Sequence, residues 1–167
     1  MRFFDHALET MSPKAIEALQ IEKFRSMFKK IYGHNRFYTE KFDSAGIDHE
    51  AIQNVNDMAQ IPLTNKEELI KAQQDKPPFG SNATFPESAY SRFHQTSGTT
   101  GKPLRVLDTP ESWDWWGRCW GFVLTGAGLT ENDRLFVPFS FGPFIGFWAA
   151  LEGARIINTM MIPGGGR

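Results

Sequence analysis

The stretch of the sequence best suited to chemistry is a short loop of hydroxyl and glycine residues that ends in a lysine. Its residues are Thr96, Ser97, Gly98, Thr99, Thr100, Gly101 and Lys102. The two glycines allow a tight turn and a close approach to a ligand, the hydroxyls can donate hydrogen bonds, and Lys102 adds a positive charge. These groups suit phosphate oxygens. The alternative is an ordinary surface hairpin loop, because turns are generally rich in serine, threonine and glycine.

This loop is not a Walker A motif. That motif needs a glycine where Thr96 stands, and a serine or threonine after the lysine, where this sequence has Pro103. A P-loop NTPase is therefore disfavoured. The pattern predicts a flexible clamp for phosphates and not a cradle at a helix N-terminus.

The elements before the loop are predicted to be mainly helical over residues 1–80. Ser12 and Pro13 are typical of a helix start, and Asn35 is suited to cap a second helix that Gly46 ends. Asp48 is expected to open a third short helical segment, and a capping box over 64–67 a fourth that lasts to about Gln74. The apolar face predicted for the first helix consists of Ile16, Leu19, Phe24, Met27, Phe28 and Ile31.

Residues 81–167 show short apolar runs broken by glycine, which predicts strands and loops. Strands are expected at Tyr90–Gln95, Leu104–Leu107, Leu135–Val137 and Arg155–Ile162, with helices from Thr109 and at Phe144–Leu151. The helix from Thr109 carries Trp113, Trp116, Trp120 and Leu124 at helical spacing, which indicates a packed face more than a cofactor stack. Alternating strands and helices predict an α/β fold with part of a parallel or mixed sheet.

Composition excludes several classes of protein. With 41% hydrophobic and 22% charged residues among 167, the chain is globular, and a net charge of -1 argues against nucleic acid or an anionic membrane as its main partner. The single Cys119 indicates a reducing compartment and is expected to be inert. No window predicts a signal peptide or a membrane span, so a cytoplasmic location is expected. His6, His34 and His49 are scattered and predict no metal site.

The complete string from Thr96 to Pro103 resembles the phosphate-binding signature of the adenylate-forming acyl-CoA synthetase superfamily. Three further segments narrow the resemblance to the phenylacetate-CoA ligase family: residues 61–66, residues 92–95 and residues 137–144. The closing segment 161–166 is similar to that family's strand and glycine loop. Family members are much longer, so the resemblance is to their N-terminal portion, and the sequence is expected to be a piece of a longer enzyme.

The resemblance implies a two-step ligase. A carboxylate attacks the α-phosphate of ATP to give an acyl-adenylate and pyrophosphate, and the sulfur of coenzyme A then displaces AMP. ATP, Mg²⁺, CoA and an aromatic carboxylic acid are the implied cofactors and partners, with Thr96 to Lys102 gripping the ATP phosphates. The sequence contains no certain catalytic residue, and residues 81–167 would form an incomplete AMP-binding subdomain beside a helical section, 1–80. A homodimer is compatible with this reading.

The resemblance also places an aryl-acid pocket beside Phe139, Phe141, Gly142 and Phe144. The family commonly has tyrosines at the first two aromatic positions, so the phenylalanines imply a more apolar substrate. The alternative is that these rings pack in the core, where Phe147 and Trp148 are also expected. His94 is suited either to orient the loop or to a purely structural role.

The rival function is a non-catalytic module. It would bind a nucleotide, or assemble with a separately encoded remainder through an unfinished sheet edge. On either reading the chain alone is expected to be inactive or nearly so, because a clamp without the adenine site and the lid cannot position the reactants.

Overall fold

A computed structural model describes residues 3–48, 50–98 and 101–165. The chain forms two compact units. One comprises residues 11–89, and the other begins at Tyr90 and includes the N-terminal segment up to Thr10. No helix in the described ranges is long and apolar enough to cross a membrane.

The unit of residues 11–89 is helical. Its elements are α2 (Pro13–Ile31), α3 (Arg36–Ala45), a 3-10 helix (Val55–Gln60), α4 (Lys66–Asp75) and a short 3-10 turn (Glu87–Ala89). Ser12 caps α2 by accepting from the Ala15 N–H, and Asn35 caps α3 by accepting from the Tyr38 N–H. Gly46 ends α3 with a φ of 66°, a left-handed conformation that favours glycine. These predicted helix boundaries are confirmed.

Two predicted helix starts in this unit are wrong. Asp48 opens only a turn, in which its carboxylate accepts from two backbone N–H groups, and the next helical turn is capped by Asn54. The capping box of α4 is formed by Asn65 and Glu68, one residue later than the sequence pattern predicts. Lys41 Nζ also donates to the Glu68 carboxylate at 2.7 Å, and this tertiary contact stabilises Glu68 as the acidic residue of the capping box.

The core of this unit is an aromatic and aliphatic cluster. Phe28 is 2% exposed and stacks on Phe42 with the ring centres 5.1 Å apart. The buried residues are Ile21, Phe24, Phe28, Phe42, Ile47 and Ile52. The predicted apolar face of α2 is therefore partly wrong, because Ile16 and Met27 are exposed. The true stripe runs through Ile21, Phe24 and Phe28, whose spacing matches one side of a helix.

The second unit carries the strands. Its elements are α1 (His6–Glu9), β1 (Arg92–Gln95), β2 (Arg105–Asp108), α5 (Pro110–Gly126), β3 (Arg134–Val137), α6 (Ile145–Ile156) and β4 (Met160–Pro163). The strand that the sequence predicts at Arg155–Ile162 begins too early, since its first residues end α6. The α/β class is confirmed.

The described strands form two separate pairs. β1 and β2 are antiparallel, whereas β3 and β4 are parallel. The expected parallel pairing is found between β3 and β4, whereas β1 and β2 pair with each other in a separate antiparallel hairpin. The reason lies in the connections: only a loop joins β1 to β2, so the chain reverses, whereas α6 supplies the crossover that a parallel pair requires.

Helices α5 and α6 pack closely because glycines lie between them. A Cβ atom on Gly117 would come within 2.6 Å of Ile156 Cδ1, and one on Gly153 would clash with Trp120. The buried side of α5 therefore runs through Trp113, Gly117, Gly121, Leu124 and Thr125. The predicted tryptophan face is correct for Trp113 and wrong for Trp116, which is 41% exposed.

The contacts of Glu68 predict how the helical unit responds to acid. Its carboxylate accepts from Lys41 and from the Asn65 N–H, and these hydrogen bonds lower the pKa of Glu68 below its ordinary value of 4.5. A carboxyl whose pKa is lower in the folded state stabilises the fold above the unfolded-state pKa, and that stability is lost as the pH falls through the folded-state pKa. Glu68→Gln is therefore expected to lower the Tm at neutral pH, with the difference from wild type shrinking as the pH falls below 4.5 and through the lowered folded-state pKa.

Thermal unfolding followed by circular dichroism at several pH values tests this expectation. Glu67→Gln is the matched control, because Glu67 is exposed and lies in the same helical turn, and its substitution removes the same charge. Equal Tm losses for the two variants at neutral pH would contradict the role of the Lys41 and Asn65 contacts.

Candidate functional site

The predicted phosphate loop connects the two strands of the β1–β2 hairpin. At its base the Thr96 N–H donates to the Leu104 carbonyl, and the Leu104 N–H donates to Thr96 Oγ1, both at 3.0 Å. The Thr96 hydroxyl therefore accepts a hydrogen bond from the backbone. This pair of bonds extends the antiparallel ladder by one step and fixes where the loop begins and ends.

Glycine is required at the turn within the loop. Gly98 has a φ of 70° and Gly101 a φ of 149°, both disfavoured for residues with a Cβ atom. The Gly101 N–H donates to the Gly98 carbonyl at 3.0 Å, and a Cβ on Gly98 would lie 2.9 Å from Pro103 Cγ. The loop thus closes on itself against Pro103. Thr99 and Thr100, which the sequence also assigns to phosphate binding, lie outside the described residues.

The polar side chains that remain in the loop face solvent. Ser97 and Lys102 are exposed, and Lys102 forms no hydrogen bond or ion pair with any residue that the structure describes. Its ammonium group is therefore not neutralised by a neighbouring carboxylate. An exposed lysine beside a glycine turn is an arrangement that can bind an anion.

The aromatic segment that follows β3 is partly exposed. Phe139 is 51% exposed and stacks on Phe147 with the ring centres 4.8 Å apart, while Phe141 meets the edge of Trp148 at 5.2 Å. Phe144 is also exposed. The alternative in which all these rings are packed in the core therefore does not hold.

The prediction that Trp148 lies in the core is wrong. The sequence places it in the core, yet it is 40% exposed, and its indole N–H donates to the Gly142 carbonyl at 2.8 Å. This bond ties α6 to the loop that precedes it. Sequence reasoning missed the role because a tryptophan in an apolar helix is typical of a core position. The one available signal is position: Trp148 lies four residues after Phe144 and six after Gly142. Side chains of a helix tilt toward its N-terminus, so Trp148 can reach back to the segment that precedes the helix.

A backbone hydrogen bond joins the two predicted ligand-binding segments. The Gln95 N–H, at the end of β1, donates to the Pro143 carbonyl at 2.9 Å. Gln95 directly precedes the phosphate loop, and Pro143 lies within the aromatic segment. The glycine loop after β4 is adjacent to the end of β3, because the Gly164 N–H donates to the Val137 carbonyl at 2.7 Å. The aromatic segment and the glycine loop thus follow the carboxyl ends of two neighbouring parallel strands, where α/β proteins commonly bind ligands.

His94 is a buried residue of β1, just before the phosphate loop, and is not part of the loop itself. It is 4% exposed, stacks on Trp113 with the ring centres 5.1 Å apart, and places Nδ1 3.3 Å from Asp108 Oδ2. Asp108 is a second residue that the sequence analysis did not single out. Its separation of fourteen positions from His94 gives no local pattern, and only the hairpin register brings the two together.

The described ranges contain no group of three histidine, cysteine or acidic side chains arranged to hold a metal ion. They therefore provide no protein cage for a divalent cation. Mg²⁺ usually retains several waters and binds through substrate phosphates with one or two carboxylates, so such a cage is not what an ATP-bound Mg²⁺ requires.

Solved structures define the class of protein. The chain matches 2-hydroxyisobutyryl-CoA ligase, solved in complex with 2-HIB-AMP and CoA, with a TM-score of 0.87 and 26% sequence identity over 95% of this chain and 33% of that one. A second structure of the same ligase, in the postadenylation state, matches with a TM-score of 0.86. The fold is that of part of a CoA ligase that forms an acyl-adenylate.

Curated sequences narrow the similarity. The chain is 32% identical to phenylacetate-coenzyme A ligase of Escherichia coli and 30% identical to that of Thermus thermophilus, over 93% of its own length in both cases. It spans only 35% and 34% of these relatives. No protein-family model matches it. The resemblance to the N-terminal portion of the phenylacetate-CoA ligases is confirmed.

The bond between Trp148 and Gly142 predicts a stability effect. Trp148→Phe keeps an aromatic ring and removes the indole N–H, so it should lower the free energy of unfolding by about 1 kcal/mol, the usual value of one hydrogen bond. Urea unfolding followed by circular dichroism measures the change. Trp116→Phe is the matched control, since Trp116 is equally exposed, and it should change stability by less than about 0.5 kcal/mol. A control loss as large as that of Trp148→Phe would contradict the assignment.

Proposed function

We propose that this chain is the N-terminal part of an ATP-dependent ligase that joins an aromatic carboxylic acid to coenzyme A. The observation that carries the proposal is the Gln95 to Pro143 hydrogen bond, which holds the phosphate loop next to the aromatic segment. A ligase of this kind must bring the acid carboxylate to the α-phosphate of ATP, so it needs these two binding segments side by side. The names of the relatives support the same reaction class.

The proposed reaction has two steps. In the first, a carboxylate oxygen forms a bond to the α-phosphorus of ATP, the bond from that phosphorus to the bridging oxygen breaks, and pyrophosphate leaves. In the second, the sulfur of CoA attacks the acyl carbonyl and AMP leaves with the electron pair of the broken C–O bond, while the thiol proton passes to solvent or a base. Both steps place negative charge on a departing phosphate group, which preorganised donors stabilise.

The loop residues suit the first step. Lys102 carries an unpaired positive charge on the surface, and the Gly98 and Gly101 turn allows phosphate oxygens to come close to the backbone. Thr96 contributes chiefly by fixing the base of the loop, since its hydroxyl already accepts from Leu104. Ser97, Thr99 and Thr100 complete the proposed set of hydroxyl donors.

The aromatic segment is proposed to contact the acid. Phe139 and Phe144 expose ring surface, and the contact of Phe141 with Trp148 gives that wall a fixed shape. Gly142 leaves room for the Phe144 ring, which a Cβ there would meet at 2.9 Å. An apolar aromatic wall favours an aryl or arylalkyl acid over a polar one.

Three further assignments belong to the proposal. Residues 81–167 form part of an AMP-binding subdomain and residues 1–80 a helical section before it. Mg²⁺ would accompany ATP and would neutralise charge on its phosphates. The enzyme is cytoplasmic, in keeping with its single free cysteine, Cys119. Use of CoA as the acyl acceptor and assembly as a homodimer complete the proposal.

Substitutions in the loop test the proposal in the complete ligase that contains this chain. Lys102→Ala removes a charge that stabilises departing pyrophosphate and should lower arylacetate-dependent exchange of pyrophosphate into ATP by about 10- to 100-fold. Gly101→Val should also lower it, because a β-branched residue does not adopt a φ of 149°. Lys14→Ala, at an exposed lysine in α2, is the matched control and should leave exchange unchanged.

Unchanged exchange in both loop variants would refute the role of the loop. Pyrophosphate or ATP binding without any acid-dependent exchange in the complete protein would instead favour the rival function, a non-catalytic nucleotide-binding or assembly module.

A further inference from the structure

A buried polar cluster lies on one face of the hairpin that carries the phosphate loop. In the antiparallel register Arg92 is opposite Asp108 and His94 is opposite Val106, so these four side chains share a face. His94 and Asp108 are diagonal neighbours across the strands, and both are less than 10% exposed. Trp113 of α5 covers this face, stacking on His94 and lying 5.5 Å from the Arg92 guanidinium.

Two buried atoms in this cluster face each other. His94 Nδ1 and Asp108 Oδ2 are 3.3 Å apart, and both are without a hydrogen-bond partner among the described residues, as is the third buried polar atom of the cluster, Trp113 Nε1. Buried polar atoms are nearly always paired, and leaving one unpaired costs about 1–3 kcal/mol. At 3.3 Å the two atoms are within reach of each other, so a small rotation of the imidazole would pair them.

The other carboxylate oxygen is already fixed. Ser112 Oγ, in the first turn of α5, lies 3.0 Å from Asp108 Oδ1 and 3.0 Å from the Thr109 carbonyl, so its one proton is shared between these two acceptors. This bond sets the rotation of the carboxylate so that Oδ2 points at His94. The stacked Trp113 ring in turn sets the plane of the imidazole. The orientation of both partners is therefore determined before they meet.

We propose that His94 and Asp108 are positioning residues for the phosphate loop, with Nδ1–H of His94 donating to Asp108 Oδ2. His94 is two residues before Thr96 and adjacent to Gln95. A fixed His94 therefore holds the end of β1. Two features of the loop begin at this end: the pairing of Thr96 with Leu104 at the base of the loop, and the hydrogen bond from Gln95 to Pro143. The link from this geometry to phosphate binding rests on the proposed function, whereas the geometry itself does not.

The tautomer of His94 is a readout that a purely packing role would not control. Two-bond proton–nitrogen correlation spectra of the ¹⁵N-labelled 167-residue chain at neutral pH distinguish Nδ1–H from Nε2–H. We expect a single Nδ1–H form, because only a proton on Nδ1 can bind the facing carboxylate oxygen. An Nε2–H form in the wild-type chain would overturn the proposal without any variant.

Asp108→Asn should reverse the tautomer. The Ser112 hydroxyl that donates to Asp108 Oδ1 favours the amide oxygen on its side, which places the NH₂ group against His94 Nδ1 and makes that nitrogen the acceptor. The proton then moves to Nε2. Adding Ser112→Ala frees the amide to turn, so the double variant should recover Nδ1–H. Failure of Asp108→Asn to change the tautomer would overturn the pairing.

The same samples test the effect on the loop. Backbone amide resonances of Gly98 and Gly101 should shift in Asp108→Asn and stay in place in Asp114→Asn, a control that removes an acidic charge from an exposed position of α5. Should Asp108→Asn not fold, Ser112→Ala is the milder variant and should move the same resonances by less. Unmoved loop resonances in the folded variants would overturn the positioning role. No ligand is used, so failure of the loop to bind phosphate would leave these results standing and count only against the proposed function.

Discussion

One backbone hydrogen bond, from the Gln95 N–H to the Pro143 carbonyl, connects the two strand pairs at the place where ligands are proposed to bind. Without it the hairpin β1–β2 and the parallel pair β3–β4 would share no described ladder, since the strands belong to separate sheets. A two-stranded hairpin is only marginally stable in water and needs support from packing. The bond supports β1 from its loop end, and Trp113 supports it from its buried face. The position of the phosphate loop thus depends on contacts outside the loop.

The close packing of α5 on α6 is the second constraint. It fixes the position of α6 and therefore the position of the aromatic segment that precedes α6. Gly117 and Gly153 have no room for a side chain at this contact, so the helix backbones approach each other directly. Phe144, at the start of α6, caps it without a side-chain hydrogen bond. Trp148 compensates at the next turn by donating to the Gly142 carbonyl, which fastens the segment to the helix. Residues that are chemically inert therefore determine where the proposed acid-binding rings lie.

Local signals in the sequence predict local structure well and long-range pairing poorly. The caps at Ser12, Asn35 and Thr109 and the glycine stop at Gly46 lie where the residue types indicate, because each depends on neighbours within four positions. The cap of α4 is displaced to Asn65, since a lysine from another helix selects Glu68. The loop could be singled out as a candidate phosphate-binding motif because its residues are continuous in the sequence. The pairing of His94 with Asp108 and the link to Pro143 could not, because only the fold brings these residues together. The two-sheet arrangement was missed for the same reason: alternation of strands and helices does not specify which strands pair.

The exposure of the proposed binding groups shows how much of a ligase site these residues supply. Small-molecule sites usually bury about 70–90% of a ligand's surface. Here Phe139 is half exposed and Lys102 faces solvent, so they form one wall of such a site and leave an acyl-adenylate open to water. An open wall can bind phosphate through Lys102 and backbone groups, but it cannot exclude the water that would hydrolyse the adenylate. The chain spans about a third of its curated relatives, so on the proposed function the opposite wall belongs to the part of the fold that they contain in addition. On the proposed function, the described residues would hold the phosphates and one side of the acid, and that additional part of the fold would close over the adenylate.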